Sequence, residues 1–413
     1  MKRIVRLCAW FCAPVAAIFI VVACMSAPVT KVAAGPIEGP GGTGYHVLKP
    51  IQSGDLTLFP VVRGEGKASA SDPFLTLDEG LRSGEVEVTE AGSVRGLVRS
   101  RGASPAPYRG DQVNTLVLVN HSNRPLLLLA GEIVTGGKQD RIVASDRIVP
   151  SDSDPVDLSV FCVEHGRWTE SSATFGVTAK SSAKSFMVQP EVRQQAMVAK
   201  SQQQVWDSVS TAVAGMAVAA APQPSTTARG NENATVTLDG RTRALPSRSL
   251  GTTSYAKAMQ MDAVSAQVDK VAPEMTASRE QILSQLKQDH AVGVVVAVRG
   301  EVIWADVFAD TDLLTRYWSK LVRSYAAEGL TEVGRRGGGA TQADAQRFLD
   351  TPMRGAESST GEVGVYRCLE AKAGSTEQFV LESLLPGENF DVHVSRLKVK
   401  GTPVAHNGGN VLY

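Results

Sequence analysis

The apolar residues of this chain change their period at Pro190, and that change constrains the fold more than any single motif. Before it, apolar residues cluster in short runs over residues 56–62, 85–89, 115–119, 126–130, 142–149 and 156–163, with turn-forming residues between them. That is the pattern of strands. After it, Val192, Ala199, Trp206, Val209 and Val213 recur at spacings that share one helical face, and proline is tolerated in a first helical turn, where its missing N–H costs nothing. The expected class is α+β, with a β-rich N-terminal half packed against long helices of the middle region. Inside the β half, Thr76-Leu77-Asp78-Glu79 reads as a capping box that opens a short helix ending before Gly84.

Residues 219–250 are rich in Ala, Pro, Ser, Thr, Gly and Asn. They bury too little apolar surface to offset their ordering entropy, and a disordered insertion is expected there. Helical periodicity resumes over residues 254–271 and 276–289, and two apolar runs, 292–298 and 302–306, flank Arg299-Gly300 as a hairpin would. Asp310 is placed to cap a following helix whose stripe is Leu314, Trp318, Leu321 and Tyr325. Beyond the glycine-rich break at 334–339, runs at 363–372, 379–385 and 390–399 predict a small C-terminal β element. The domain reading is a leader over 1–23, a tether over 24–44, one α+β domain over 45–330 and an extension over 331–413.

The leader predicts export. Lys2, Arg3 and Arg6 precede an apolar run over residues 7–22, and Val21-Val22-Ala23-Cys24 fits a lipobox. Cleavage before Cys24 would leave that cysteine lipidated and the protein anchored to a membrane, facing the periplasm or cell exterior. A retained transmembrane helix needs about 20 apolar residues, slightly more than this run supplies. A second cleavage point after Ala34 lies far from the apolar run. Met25 follows the cysteine, so nothing argues for retention at an inner membrane.

Forty-two basic residues balance 42 acidic ones, and loss of Lys2, Arg3 and Arg6 leaves a net charge of −3. There is no long basic cluster, so no nucleic-acid partner is expected. Cys162 and Cys368 are the cysteines left for the mature globular part. In an oxidising compartment they could pair, although each also reads as a small buried hydrophobe. The chain has no CxxC, CxxCH or HExxH pattern, so no metal and no cofactor are expected.

Two polar clusters are candidates for function. Residues 130–141 form a glycine-bearing loop with Glu132, Lys138, Asp140 and Arg141, but the phosphate-cradling pattern fails: Glu132 stands at its first glycine and Gln139 at its hydroxyl. Residues 161–168 gather Cys162, Glu164, His165, Arg167 and Trp168 at the end of a strand. Strand neighbours point to opposite faces, so proximity alone makes no site. Were the two clusters to meet in one cleft, the basic groups would orient an anionic ligand, the carboxylates would accept hydrogen bonds, and Trp168 would supply a stacking wall.

Residues 76–84, 131–141 and 161–168 resemble the ARG and Rhodanese-Phosphatase-superfamily-associated protein domain family, over a span of about 45–328 with 219–250 inserted. The resemblance implies an association with ADP-ribosylglycohydrolase-like and rhodanese- or phosphatase-like proteins, and it transfers no catalytic residue. The leading expectation is a recognition or binding module whose protein or small-molecule partner is unknown, because no nucleophile, base and orienting group fall together. The alternatives are a hydrolase acting on a phosphate- or ribose-containing ligand, resting on Lys138, Asp140 and Arg141, and a structural envelope protein.

Overall fold

The computed structural model describes residues 44–64, 74–91, 114–166, 171–176, 186–221, 234–238, 241–245, 250–272, 275, 278–331, 338–386, 389–400 and 404–406. Its frame is a nine-stranded antiparallel sheet that runs from Tyr45–Val47 through Leu56–Arg63, Ala291–Val298, Glu301–Phe308, Phe390–Lys398, Thr376–Ser383 and Tyr366–Ala373 to Arg354–Glu362, with Ile51–Ser53 alongside Leu56–Arg63. Ala291–Val298 is buried along its whole length. Val294, Val296 and Val298 face the main core, while Val295 and Ala297 face a second core under the helix Gln342–Asp350. Burial on both faces explains why this strand is a continuous apolar run rather than an alternating one. The hairpin partner follows after Arg299 and Gly300, whose φ values of 52° and 85° supply the mirror-image turn that strand twist favours.

Six strands close into a barrel in the order Val156–Cys162, Thr115–Asn120, Val86–Glu90, Thr174–Gly176, Ile133–Gly136 and Arg141–Val143. Val88, Leu116, Leu118, Val143, Leu158 and Phe175 are part of its core. A three-stranded sheet, Arg147–Val149, Leu126–Leu128 and Leu75–Thr76, forms the wall between barrel and main core. Leu126 and Leu128 belong to the barrel side, Leu127 and Leu129 to the other. Across the main core lies the helix Thr311–Thr331, packed on Ala291–Val298 and on the helices Gln202–Ala220, Asp262–Val271 and Arg279–Gln288.

The α+β class holds, as do the local signals. Thr76 accepts from the Glu79 amide and Glu79 reaches back to the Thr76 amide at 3.1 Å, and Gly84 closes that helix at φ 74°. Asp310 caps the long helix through the Leu313 amide at 2.8 Å. Several boundaries differ. The helix expected to run on from Pro190 stops: Pro190–Gln194 passes into a π-helical turn, Gln195–Ala199, then Lys200 turns left-handed at φ 51° and Ser201 caps a new helix through the Gln204 amide. The run at 142–149 is two strands, because Asp146 turns inward between them.

Within residues 219–250, Ala234–Leu238 and Arg241–Leu245 pair as a hairpin, joined by Val404–His406. The stretch is therefore not structureless throughout, and its sequence carries the signal: a Thr/Val alternation followed by Asp239-Gly240, a strong hairpin dipeptide. The C-terminal strands are likewise no separate element. Phe390–Lys398 pairs directly with Glu301–Phe308, and four strands beyond residue 331 complete the large sheet. Among the described residues no helix is long and apolar enough to cross a membrane; the leader, the tether and Cys24 lie outside the described residues.

Candidate functional site

The charged chemistry of the fold gathers in its interior, where strand register brings distant residues together. Asp306 lies directly opposite Ser395 on the neighbouring strand, and the Ser395 hydroxyl donates to Asp306 Oδ1 at 2.8 Å. Two residues along, His393 shares the same inward face. Arg193, from the short helix after Pro190, donates to both Asp306 oxygens at 3.0 and 3.2 Å and from Nε to the Ala130 carbonyl at 3.1 Å, with its guanidinium 4.5 Å from the centre of the Trp304 ring. Tyr325 donates to Asp306 Oδ2 from the long helix. On the other side, His393 Nδ1 meets Asp146 Oδ2 at 2.6 Å, and Asp146 Oδ1 accepts the Ala130 amide at 2.8 Å.

Each of these side chains is buried, and Arg193, Asp306, His393 and Ser395 have no exposed surface at all. Such charges are tolerable only because they answer one another. For Asp306, burial opposes ionisation, but Arg193 and then His393 hold its carboxyl well below the usual range. For His393, burial disfavours the cation, yet Asp146 foremost and Asp306 after it raise its pKa to about 9. Its Nε2 lies 3.2 Å from Asp306 Oδ1.

The turn Leu129–Glu132 links this network to a second. Glu132 Oε2 accepts the Leu129 amide at 2.7 Å, and Oε1 accepts Lys320 Nζ at 2.5 Å, while the same ammonium pairs with Asp78 at 2.7 Å. Burial, relieved by Lys320 but reinforced by Asp78, leaves the Glu132 carboxyl raised. Gly131 lets the turn form. Its φ is +86°, and a Cβ there would come within 2.5 Å of Arg193 Cγ.

The predicted site residues divide around these networks. Asp140 and Glu164 do meet, at one end of the barrel: the Asp140 amide donates to Glu164 Oε2 at 3.2 Å, Ser254 donates to Asp140 Oδ2 at 2.6 Å, and Lys257 donates to Glu164 Oε1 at 2.8 Å. Arg141 is buried beside them, its Nη1 3.3 Å from Gln139 Oε1, and the Lys138 amide donates to Glu90 Oε1 at 2.9 Å. His165 is exposed and meets the Trp206 ring edge-on at 4.8 Å. Glu132 does not join this group, because its carboxyl turns toward Lys320. Arg167 and Trp168 lie outside the described residues. Cys162 and Cys368 are not joined in a disulfide. Cys162 is held inside the barrel, where burial, only partly offset by Arg141, pushes its pKa up to about 11; Cys368 donates to the Asp146 carbonyl at 3.3 Å. Neither is a thiolate nucleophile at neutral pH.

On the far face of the sheet, an open groove of about 630 Å³ lies between the helix Gln342–Asp350 and the strand ends at Glu301, Thr376 and Lys398. Its walls carry the exposed ion pairs Arg347–Asp344 and Lys398–Glu301, and Phe348 is half-buried within it. These groups come from separate parts of the chain, and sequence reading singled out none of them. Among the described residues no cluster of His, Cys, Asp and Glu is arranged to hold a metal ion.

Residues 44–397 match the family model described as ARG and Rhodanese-Phosphatase-superfamily-associated Protein domain. The match carries through the C-terminal strands, beyond the span of 45–328 that the sequence motifs suggested. No curated protein and no solved structure matches the chain.

Proposed function

We propose that this chain, which belongs to the ARG and Rhodanese-Phosphatase-superfamily-associated Protein domain family, is an exported, lipid-anchored recognition module whose groove takes a protein or peptide partner. The carrying observation is the groove itself: an open surface beside the sheet, with two exposed ion pairs and a half-buried aromatic ring. Mixed charge around an aromatic contact suits an extended polypeptide better than a small molecule, which needs an enclosed, mostly apolar pocket. The hydrolase reading rested on Lys138, Asp140 and Arg141. Asp140 and Arg141 are spent on internal contacts, which favours recognition over turnover.

Export and anchoring rest on the leader and on Cys24. Cys24→Ser is expected to block maturation and release the protein from membranes, and normal processing with membrane retention after alkaline washing would overturn the anchor. For the groove, a photo-crosslinking residue at Thr376 in the intact envelope is expected to give a discrete adduct that Arg347→Glu with Lys398→Glu diminishes. The same residue at the exposed position Lys287 serves as control. Equal labelling from both positions, or none from Thr376, would sink the recognition reading and favour a structural envelope role.

A further inference from the structure

The helix Gln342–Asp350 has two working faces. Gln342, Ala345, Gln346 and Leu349 recur at helical spacing on one side, and Asp344, Arg347, Phe348 and, just past its end, Thr351 recur on the other. The second set lines the groove. The first set holds Tyr45–Val47, which follows directly on the segment that the sequence leads one to expect as a tether. Gln346 treats that strand as another strand would: its Oε1 accepts the Val47 amide at 2.8 Å and its Nε2 donates to the Tyr45 carbonyl at 3.1 Å. Gln342 Nε2 donates to the Val47 carbonyl at 2.6 Å.

Tyr45–Val47 pairs with Leu56–Arg63 along one edge, and the glutamines bond its other edge. Beneath the helix, Ala345 and Leu349 pack with Val47, Phe59, Val61 and Val295. Its far end is pinned by buried Arg396, which donates to the carbonyls of Phe348, Leu349 and Thr351 and is itself braced by Gln378 Oε1 at 2.7 and 2.9 Å. The helix is thus fixed at its C-terminal end, while its body is shared between groove and first strand.

We infer that the helix Gln342–Asp350 couples the groove to the strand that leads to the tether, so that what occupies the groove alters how firmly Tyr45–Val47 is held. This rests on the groove being the recognition surface, and it names the regulation of that site. The physical requirement is modest: a ligand touching Asp344, Arg347 or Phe348 favours one position of the helix, and the same displacement stretches or tightens the Gln346 contacts. Linkage makes the effect reciprocal. Loosening the strand must therefore disturb the groove.

Reciprocity permits a test that needs no ligand. In the full chain, Gln346→Ala is expected to raise hydrogen exchange at the Val47 amide by about tenfold, the scale of one or two lost hydrogen bonds. It is also expected to shift the emission of an environment-sensitive fluorophore attached at Thr376→Cys in the groove, and to leave the same fluorophore at Lys287→Cys unmoved. Faster exchange at Val47 with an unchanged groove signal would overturn the coupling. Should Gln346→Ala lower the global unfolding midpoint, Gln342→Ala, which removes a single contact, gives the same comparison. Crosslinking from Thr376 reports on a partner and the fluorophore on the helix, so failure of one reading is separable from failure of the other.

Discussion

Raising the pH should loosen this protein through His393. Its imidazolium lies between Asp146, 2.6 Å from Nδ1, and Asp306, 3.2 Å from Nε2, with no exposed surface. The folded pKa, about 9, stands above the ordinary 6.5, so the folded state holds the proton more tightly than the unfolded one. The resulting stabilisation is fully present below pH 6.5 and is lost as pH rises through about 9. Its size is ~3 kcal/mol, a large part of the 5–15 kcal/mol that holds a typical domain together. The other groups packed there do not compete in that window: burial pushes the Tyr325 hydroxyl and the Cys368 thiol upward, and Arg193 stays charged beside Asp306. The assay is urea unfolding at pH 6.5, 8 and 10, followed by the fluorescence of buried Trp304 and its fellows, for the natural chain and for His393→Gln. Surface charges contribute equally to both, so the stability difference isolates the imidazole. It should narrow by ~3 kcal/mol across the range. A difference constant within about 1 kcal/mol would refute the proposed charge state of His393.

Asp306→Asn keeps the shape but strands Arg193 as a buried cation and leaves His393 with Asp146 alone, and should cost about 3–5 kcal/mol in the same unfolding assay; adding Arg193→Met should recover part of it. Gly131→Ala places a side chain at φ +86° and against Arg193 Cγ, so a loss of about 2 kcal/mol or more is expected, with a crystal structure showing Arg193 displaced from Asp306. Cys162 and Cys368 should react slowly with a thiol reagent in native protein and promptly in urea, since burial raises both thiols.

Much of the local structure is legible because it depends on neighbours in sequence. Thr76 and Glu79 cap one another three residues apart, Arg299-Gly300 turns a hairpin, and Asp310 caps the helix that begins beside it. The apolar runs at 126–130 and 292–298 are strands as well, and the structure buries both of their faces. What local pattern misses is where one helix ends and another begins. A left-handed Lys200 and a cap at Ser201 leave the apolar periodicity running straight through the break.

The interior site is hidden for a different reason. His393 and Asp146 are 247 positions apart, and the energetic meaning of either depends on the other. The sequence does carry a faint mark of them: Asp306 interrupts Trp304-Ala305-Asp306-Val307-Phe308, and His393 and Ser395 take alternate positions in Val392-His393-Val394-Ser395. A polar residue at the inward position of an apolar strand must find a partner or cost several kcal/mol. Two such strands in one chain are therefore candidates to be neighbours, and here they are, with Asp306 opposite Ser395. The glycine-bearing loop at 130–141 drew attention for its charges, yet its weight in the fold comes from Ala130 and Gly131, whose amide, carbonyl and missing Cβ seat Asp146 and Arg193. The charges were visible in sequence; the backbone that receives them was not, because backbone groups carry no side-chain signature and acquire a role only once strand register has decided which of them point inward.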